Sequence, residues 1–509
     1  MGTMPHIALR ATLATAAAAA LLMLGGCSDE PEEKGTLDWG KCPAPTPIEG
    51  GGESPGKNWQ CATLQVPLDW SKPDGEKIDL GVIRTKARDP ENRLGSLVFN
   101  FGGPGGSGIT TLPGAAKEFE ALGRRYDLVS FDPRGVGRSE PVRCKTDRQL
   151  DAYYAQDATP STPEEEKAYV DGIRQYIEAC ERNSGEILPY VGTENAARDL
   201  DALREALGEP KLNYFGISYG TELGGVYAHL FPKNVGRAVF DAVVDPTKTS
   251  WESGLGQAKG FQLALDNFAQ DCVDRGDACR LQGSTPAEIE ENIVKLQKQL
   301  ADRPLPVGDR QLTESAATGG IAQALYSKEL WPLLEQGLDE AEGGQGQLLL
   351  ALYDAINGRD QNGHYSNIGA ANTAINCADS KDRYTLAETK AKLAEFRAAS
   401  PVFGDYLGWA MLGCTGWPVE GASATPDVSA PDSAPILVIG NTGDPATPYE
   451  GARKMVERLG PGVGVELTYK GEGHGAYNSG DACVQQAVNA YLLEGKVPPA
   501  NTVCTAPQQ

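Results

Sequence analysis

At 509 residues, with 40% hydrophobic and 23% charged side chains, the chain has room for about two or three core-sized units of ordinary globular composition. Its net charge of −23, without any Lys/Arg-rich run, argues against a nucleic-acid partner. An acidic balance favours solubility and draws in cationic groups.

Residues 1–27 read as a targeting segment, with Arg10 in the n-region and an apolar stretch from Ala11 to Leu24. The stretch ends Leu24-Gly25-Gly26-Cys27, which resembles a bacterial lipoprotein processing box. Cys27 is then the expected lipidation site, and the membrane the partner of that anchor, placing the protein outside the cytoplasm on the cell surface. A plain cleaved secretion signal is the rival reading. Residues 28–59 follow as a tether and N-terminal segment, and no other segment approaches the roughly 20 apolar residues that span a bilayer.

Setting Cys27 aside from the eleven cysteines leaves an even set without a CxxC pair, and there are only four histidines. That leaves little for a zinc site, so no metal or cofactor is expected, and the cysteines read as disulfides of an exported protein. Connectivity does not follow from spacing. Sequential pairing (Cys42–Cys61, Cys144–Cys180, Cys272–Cys279, Cys377–Cys414, Cys483–Cys504) closes local loops, each stabilising by ~2–4 kcal/mol in the entropy account.

From residue 60 to 246 strands and helices alternate. Ile78 to Thr85 alternates like a half-buried strand, while Ser96-Leu-Val-Phe-Asn-Phe101 and Tyr126-Asp-Leu-Val-Ser-Phe-Asp132 resemble buried parallel strands. After the first of these comes Asn100-Phe-Gly-Gly-Pro-Gly-Gly-Ser-Gly108, whose glycines let backbone approach a ligand closely. A phosphate cradle is the weaker reading, because the loop has neither the Gly-Lys-Ser/Thr ending nor the dinucleotide spacing. Thr193 to Leu207 is an amphipathic helix stopped at Gly208-Glu-Pro210.

The next strand runs into Gly216-Ile-Ser218-Tyr-Gly220. In a nucleophile elbow the serine occupies a strained turn between strand and helix, and the residues two before and two after must be small. Five residues alone are a weak signal, since a buried serine in an ordinary turn looks the same. Arg237 to Val244 is the following strand. Such alternation builds a doubly wound, mostly parallel sheet whose ligands bind beyond the carboxyl ends of its strands.

Residues 247–432 change character to helix-like stretches broken by Gly and Pro. Strand patterns return at Pro435–Gly440 and Gly464–Tyr469, within a closing segment 433–509. A large helical cap inserted between late sheet strands is the natural reading; a separate domain strung into the chain is the other.

A serine nucleophile needs a base, and the base an orienting acid. His6 lies in the leader, His229 on the helix after Ser218 where packing is the expected role, and His364 in a polar loop of the cap. His474, in Gly471-Glu-Gly-His-Gly475 after the last clear strand, sits on the kind of loop that carries a catalytic imidazole. Asp444 follows the strand before it, in the chain order Ser, Asp, His of α/β-hydrolases; Asp245 is the rival acid. Thr447 is placed either to bond the Asp444 carboxylate or to cap the next helix, the second being the expected role. For the oxyanion hole, two backbone N–H groups are needed, and Tyr219 and Gly103 are best placed to give them.

These pieces together resemble the tripeptidyl aminopeptidase branch of the α/β-hydrolases, exported by actinobacteria and related to proline iminopeptidases. The likeness is collinear from about residue 60 to 505. It runs through Gly102–Gly108, Asp132-Pro-Arg-Gly-Val-Gly-Arg-Ser139, Gly216–Thr221, Gly443-Asp-Pro-Ala-Thr-Pro448 and Gly473-His-Gly475. It implies an α/β-hydrolase fold, a triad of Ser218, Asp444 and His474, and a cap that shapes the pocket for the substrate's N-terminal residues. Two departures stand out. Phe101 replaces a proline common in the family, and Glu222 stands where an aromatic is frequent. Glu222 suits the positive end of the helix dipole; binding a substrate amine is its second reading.

The expected function is a surface-anchored serine exopeptidase that removes short peptides, tripeptides first among them, from free N-termini of peptides or proteins. An esterase or lipase with the same triad is the nearest rival, since a triad does not reveal its leaving group. A non-catalytic surface-binding lipoprotein on a hydrolase fold is the third reading.

Overall fold

The structure, a computed structural model, describes residues 35–506; the targeting segment, Cys27 and the start of the tether lie outside them. Three strands, β1 (Gly40–Lys41), β2 (Gln60–Pro67) and β3 (Lys77–Thr85), pair antiparallel along one side of a ten-stranded sheet. The apolar runs beyond them form β4 (Gly95–Asn100) and β5 (Tyr126–Phe131), buried at every position because both sheet faces are covered. Between them lies α1 (Gly108–Ala115).

After β5 the chain leaves the sheet for α2 (Asp147–Tyr154) and α3 (Pro163–Ser184), then returns through α4 (Thr193–Ala206) to β6 (Leu212–Ile217), α5 (Tyr219–Leu230) and β7 (Val235–Asp241). The expected helix over 193–207 is thus present with its end at Ala206. A long helical excursion follows: α6 (Ser250–Arg275), α7 (Pro286–Asp302), a hairpin of β8 (Leu305–Val307) and β9 (Arg310–Leu312), then α8 (Glu314–Leu325) and α9 (Trp331–Glu342). It continues with α10 (Gln347–Ile356), α11 (Ile368–Asp379), α12 (Leu386–Ala399) and α13 (Gly404–Ala410). The sheet resumes with β10 (Ile436–Gly443), α14 (Glu450–Leu459), β11 (Gly464–Glu472), α15 (Ala482–Glu494) and β12 (Thr502–Thr505). Its strand order is β1-β2-β3-β5-β4-β6-β7-β10-β11-β12, parallel from β5 onward.

Apolar side chains pack on both faces of the sheet, and the helical excursion has a core of its own around Phe268, Leu334, Leu349 and Phe403. The helical cover is not built from residues 247–432 alone. The α2–α3 segment joins it: Thr159 donates to Glu314 at 2.7 Å, Arg359 to Asp151 at 2.8 Å, and the rings of Tyr154 and Tyr365 stack 5.5 Å apart. Its helices were legible in two capping boxes, Thr146 with Gln149 and Thr162 with Glu165. Among the described residues no helix is long and apolar enough to cross a membrane.

The ten described cysteines pair sequentially, Cys42–Cys61, Cys144–Cys180, Cys272–Cys279, Cys377–Cys414 and Cys483–Cys504. Asp481 lies beside the last pair, but the two sulfurs are joined, which leaves no thiolate to hold a metal ion.

The Asp132–Ser139 run is a structural hub. Arg134, fully buried, makes a bidentate pair with Asp199 of α4 (2.6 and 2.7 Å) and donates to the carbonyls of Pro67, Leu68 and Tyr190. Trp70 Nε1 donates to the same carboxylate at 2.9 Å. Removing one partner strands a desolvated charge, so Asp199→Ala is expected to cost ~3–5 kcal/mol, read as a lower midpoint of urea unfolding.

Candidate active site

Four parallel strands deliver the site from their carboxyl ends. Ser218 follows β6 at φ 58°, ψ −126°, and it is the only side chain from Tyr214 to Gly220 that is not buried. The small-residue requirement is visible on both sides. A Cβ on Gly216 would lie 2.4 Å from the Gly220 carbonyl oxygen, and one on Gly220 would lie 2.5 Å from that of Asn100. The elbow is therefore wedged between its own helix and the end of β4.

That end carries the glycine loop. Gly102, at φ 88°, runs so close to Ser218 that a Cβ there would lie 2.8 Å from Ser218 Cβ and 3.2 Å from the Tyr219 nitrogen. Its own N–H is taken by Asn100 Oδ1 at 3.0 Å. Among the described residues no protein acceptor meets the N–H of Gly103, and Tyr219, first residue of α5, has an N–H without an intrahelical acceptor. Both expected oxyanion donors are thus unspent, Tyr219 next to Ser218 in the chain and Gly103 one residue past the loop's approach to it. Phe101 is explained by packing: its ring stacks on Phe99 at 5.8 Å and leans on Phe119. Asp132 anchors the far side of the loop by accepting from Ser107 Oγ at 2.7 Å and the Ile109 N–H at 3.2 Å. Burial pushes its carboxyl up to about 6 against these bonds and that of the Arg138 N–H.

At the ends of β10 and β11, His474 Nδ1 lies 2.8 and 3.0 Å from the two oxygens of Asp444. A carboxylate only accepts, so Nδ1 carries the proton and Nε2 is left with a lone pair, the form a general base requires. Asp444 is 2% exposed and is held by the N–H groups of Ala446 and Thr447 and by Thr447 Oγ1 at 3.0 Å. Thr447 therefore orients the acid and does not cap α14, whose N-cap position is Tyr449. Burial pulls the imidazole's pKa down, but the charge and hydrogen bond of Asp444, helped by Asp241, outweigh it and leave His474 above an ordinary histidine. On the cap side the Tyr326 ring meets the imidazole edge-on at 5.1 Å, and the Tyr326 carbonyl accepts the His474 N–H at 2.7 Å.

The other candidates fall away by geometry. Asp245 spends its carboxylate on Thr247 and Lys248. His364 is exposed and pairs with Asp147. His229 is not packed in the core as expected; it is part-exposed at the end of α5, bonded to the Ser429 carbonyl at 2.7 Å, because that helix end reaches the surface.

Glu222 stands one helical turn past Ser218, and long helical side chains lean toward the N-terminus, here the end that Ser218 precedes. Its carboxylate has no hydrogen-bond partner among the described residues. Burial, then the Asp379 charge, push it up to about 8. Asp379, at the end of α11, is itself pushed up to about 6 by burial, against bonds from the N–H and hydroxyl of Thr193. Sequence reasoning missed Asp379, because it lies 157 residues past Glu222 and nothing local links them.

A mostly parallel sheet with an elbow at one strand end, a carboxylate two strands along and its histidine three strands along defines the α/β-hydrolase fold. Residues 400–504 match the family described as TAP-like protein. The chain is 38% identical to the serine protease Hip1 of Mycobacterium tuberculosis over 96% of both chains, and 32% identical to the tripeptidyl aminopeptidase of Streptomyces lividans over 92% of this chain and 86% of that one. It is also 37% identical to carboxylesterase B of M. tuberculosis, over 87% of this chain and 86% of the relative. It belongs to the tripeptidyl aminopeptidase-like family of serine hydrolases.

Proposed function

We propose that the protein is an exported, membrane-anchored serine exopeptidase acting through Ser218, His474 and Asp444. The observation that carries the reading is the placement of an elbow serine, two unspent N–H donors and a carboxylate-oriented imidazole at the carboxyl ends of β4, β6, β10 and β11 in one sheet. His474 Nε2 takes the Ser218 proton as Oγ attacks a peptide carbonyl. The Gly103 and Tyr219 N–H groups receive the oxyanion. The imidazolium, stabilised by Asp444, returns the proton to the leaving amine, and water attacks the acyl-enzyme by the same route to free a short peptide. Relatives named serine protease and tripeptidyl aminopeptidase support a peptide substrate, and tripeptides as the unit released. Lipid attachment at Cys27 holds the enzyme at the outer face of the membrane.

The free amine of the substrate is met by Glu222 with Asp379. Two carboxyls that oppose each other's ionisation gain from a cation placed between them. Glu222→Gln is expected to raise KM for free tripeptide anilides by about 10-fold or more while leaving kcat within a few-fold, since a hydrogen bond to a charged group contributes ~1.5–3 kcal/mol. N-acetylated anilides should be poor substrates of the wild type and unaffected by the variant. Mass spectrometry of products from a peptide library, with free and acetylated N-termini, tests the whole reading; equal cleavage of both sets would sink it. The second reading is an esterase, favoured by the likeness to carboxylesterase B. Acyl esters hydrolysed far faster than any free tripeptide anilide would establish it.

A further inference from the structure

Asp241 ends β7, between the strand that carries Ser218 and the strand that leads to Asp444. Its backbone carbonyl accepts the Ser218 N–H at 3.0 Å. Its carboxylate faces the opposite partner. Oδ1 accepts the N–H of Ala242 and of Ala476, both at 2.9 Å, while Oδ2 accepts Tyr477 N–H at 2.9 Å and Ala476 N–H at 3.1 Å. Ala476 and Tyr477 come two and three residues after His474, and Gly475, at φ 101°, turns the chain so that both N–H groups converge on Asp241.

The side chain is 1% exposed, and among the described residues no lysine or arginine pairs with it. Three N–H groups make four contacts with the two oxygens, that of Ala476 being shared, and an all-donor surrounding of this kind favours the ionised carboxylate. Burial opposes that state, pushing the carboxyl up against its three donor amides, and the Asp444 charge adds to the opposition. A strand-to-loop junction needs no such charge. Two strained positions do need a fixed support: Ser218 at φ 58° and Ala242 at φ 55°, each tied to a different group of Asp241.

We infer that Asp241 is a positioning residue of the reaction, clamping the nucleophile's turn and the histidine's loop in one register and adding a second negative charge to the field on the imidazole. This rests on the triad reading above. The titratable groups that face Asp241 are Asp444 from the end of β10 and His474 itself; the imidazole's remaining neighbours are Thr447 and Tyr326. Removing the Asp241 charge favours the neutral imidazole, so the acid limb of the rate profile moves to lower pH.

The test is Asp241→Asn in the full chain, assayed with a tripeptide anilide and by the rate of fluorophosphonate labelling across pH. The amide keeps one acceptor but turns an NH2 group onto the N–H of Tyr477 or Ala476. The expected result is a fall in kcat of about 100-fold, the scale of an ångström-level misplacement, with KM within about threefold and the acid limb shifted down. Labelling should slow in parallel. Asp241→Ser, which removes the charge without the clash, should move the limb the same way and serves if the asparagine variant does not fold. Folded variants with a wild-type kcat, or with slower turnover and an unmoved limb, overturn the proposal: the second pattern marks a residue that only stabilises the fold. Ser218→Ala and Asp444→Asn are run alongside. If those retain wild-type turnover the triad reading itself fails; if they are dead and Asp241→Asn is not, only the clamp is lost.

Discussion

Ser218→Ala is expected to lower kcat toward peptide substrates by about five to six orders of magnitude and to abolish fluorophosphonate labelling, while the fold persists. The loss is large because no other group replaces the nucleophile. The Gly103 and Tyr219 N–H groups remain, and their oxyanion stabilisation with substrate binding accounts for the residual rate, about 10³–10⁴ over water. Stability should hardly change. Ser218 Oγ makes no hydrogen bond among the described residues, and Ala242 shows that alanine occupies a comparable positive φ in this fold. Circular dichroism and an unchanged unfolding midpoint, next to the lost activity, separate this outcome from misfolding. Wild-type turnover in the folded variant would falsify the mechanism.

Asp444→Asn should cost about 10⁴-fold in kcat, the scale known for such a change in a serine-protease triad. Oδ1 is held by the N–H groups of Ala446 and Thr447, so the amide oxygen stays there, still 2.8 Å from His474 Nδ1, and the NH2 takes the place of Oδ2 at 3.0 Å. Nδ1 then faces an acceptor and a donor at once, so the tautomer with its lone pair on Nδ1 and its proton on Nε2, which cannot accept from Ser218, competes with the productive one. The charge that stabilises the imidazolium is lost as well. The sign of the pH effect follows. Asp444 contributes to raising His474, the base acts only when neutral, and the wild-type rate therefore falls as pH drops through this raised pKa. Without Asp444 the acid limb lies lower, on a much reduced plateau, and a full profile of kcat/KM reads both changes.

Much of the site was legible before the fold was known, for a physical reason common to its parts. Gly216 must be small because the turn's own backbone excludes a Cβ, a constraint acting over five residues, and Gly220 because the end of β4 does. The apolar runs of β4, β5 and β10 reflect burial on both faces, and their ends mark where loops carrying side chains must begin. Thr447 was read the wrong way, as a helix cap, although the carboxylate it holds is only three residues back. The sequence motif fits both roles, and only the path of the chain into α14 separates them. The α2–α3 helices were passed over because α2 is short and polar, even though its capping box was in view.

Composition and local order thus determined the sheet class, the strained Gly-x-Ser-x-Gly turn and the places of the candidate residues at strand ends, because each depends on dihedral limits, burial period or a neighbour a few residues away. Tertiary structure alone decided the rest. Asp241 reaches Ala476 across 235 residues of chain, Glu222 lies within the field of Asp379 at the end of a helix from the insertion, and the α2–α3 segment joins the helical excursion from a different part of the sequence. Such contacts follow from which strands lie side by side and which helix ends face them. The energy of a buried carboxylate or an unpartnered one is set by those neighbours, and no local pattern records it.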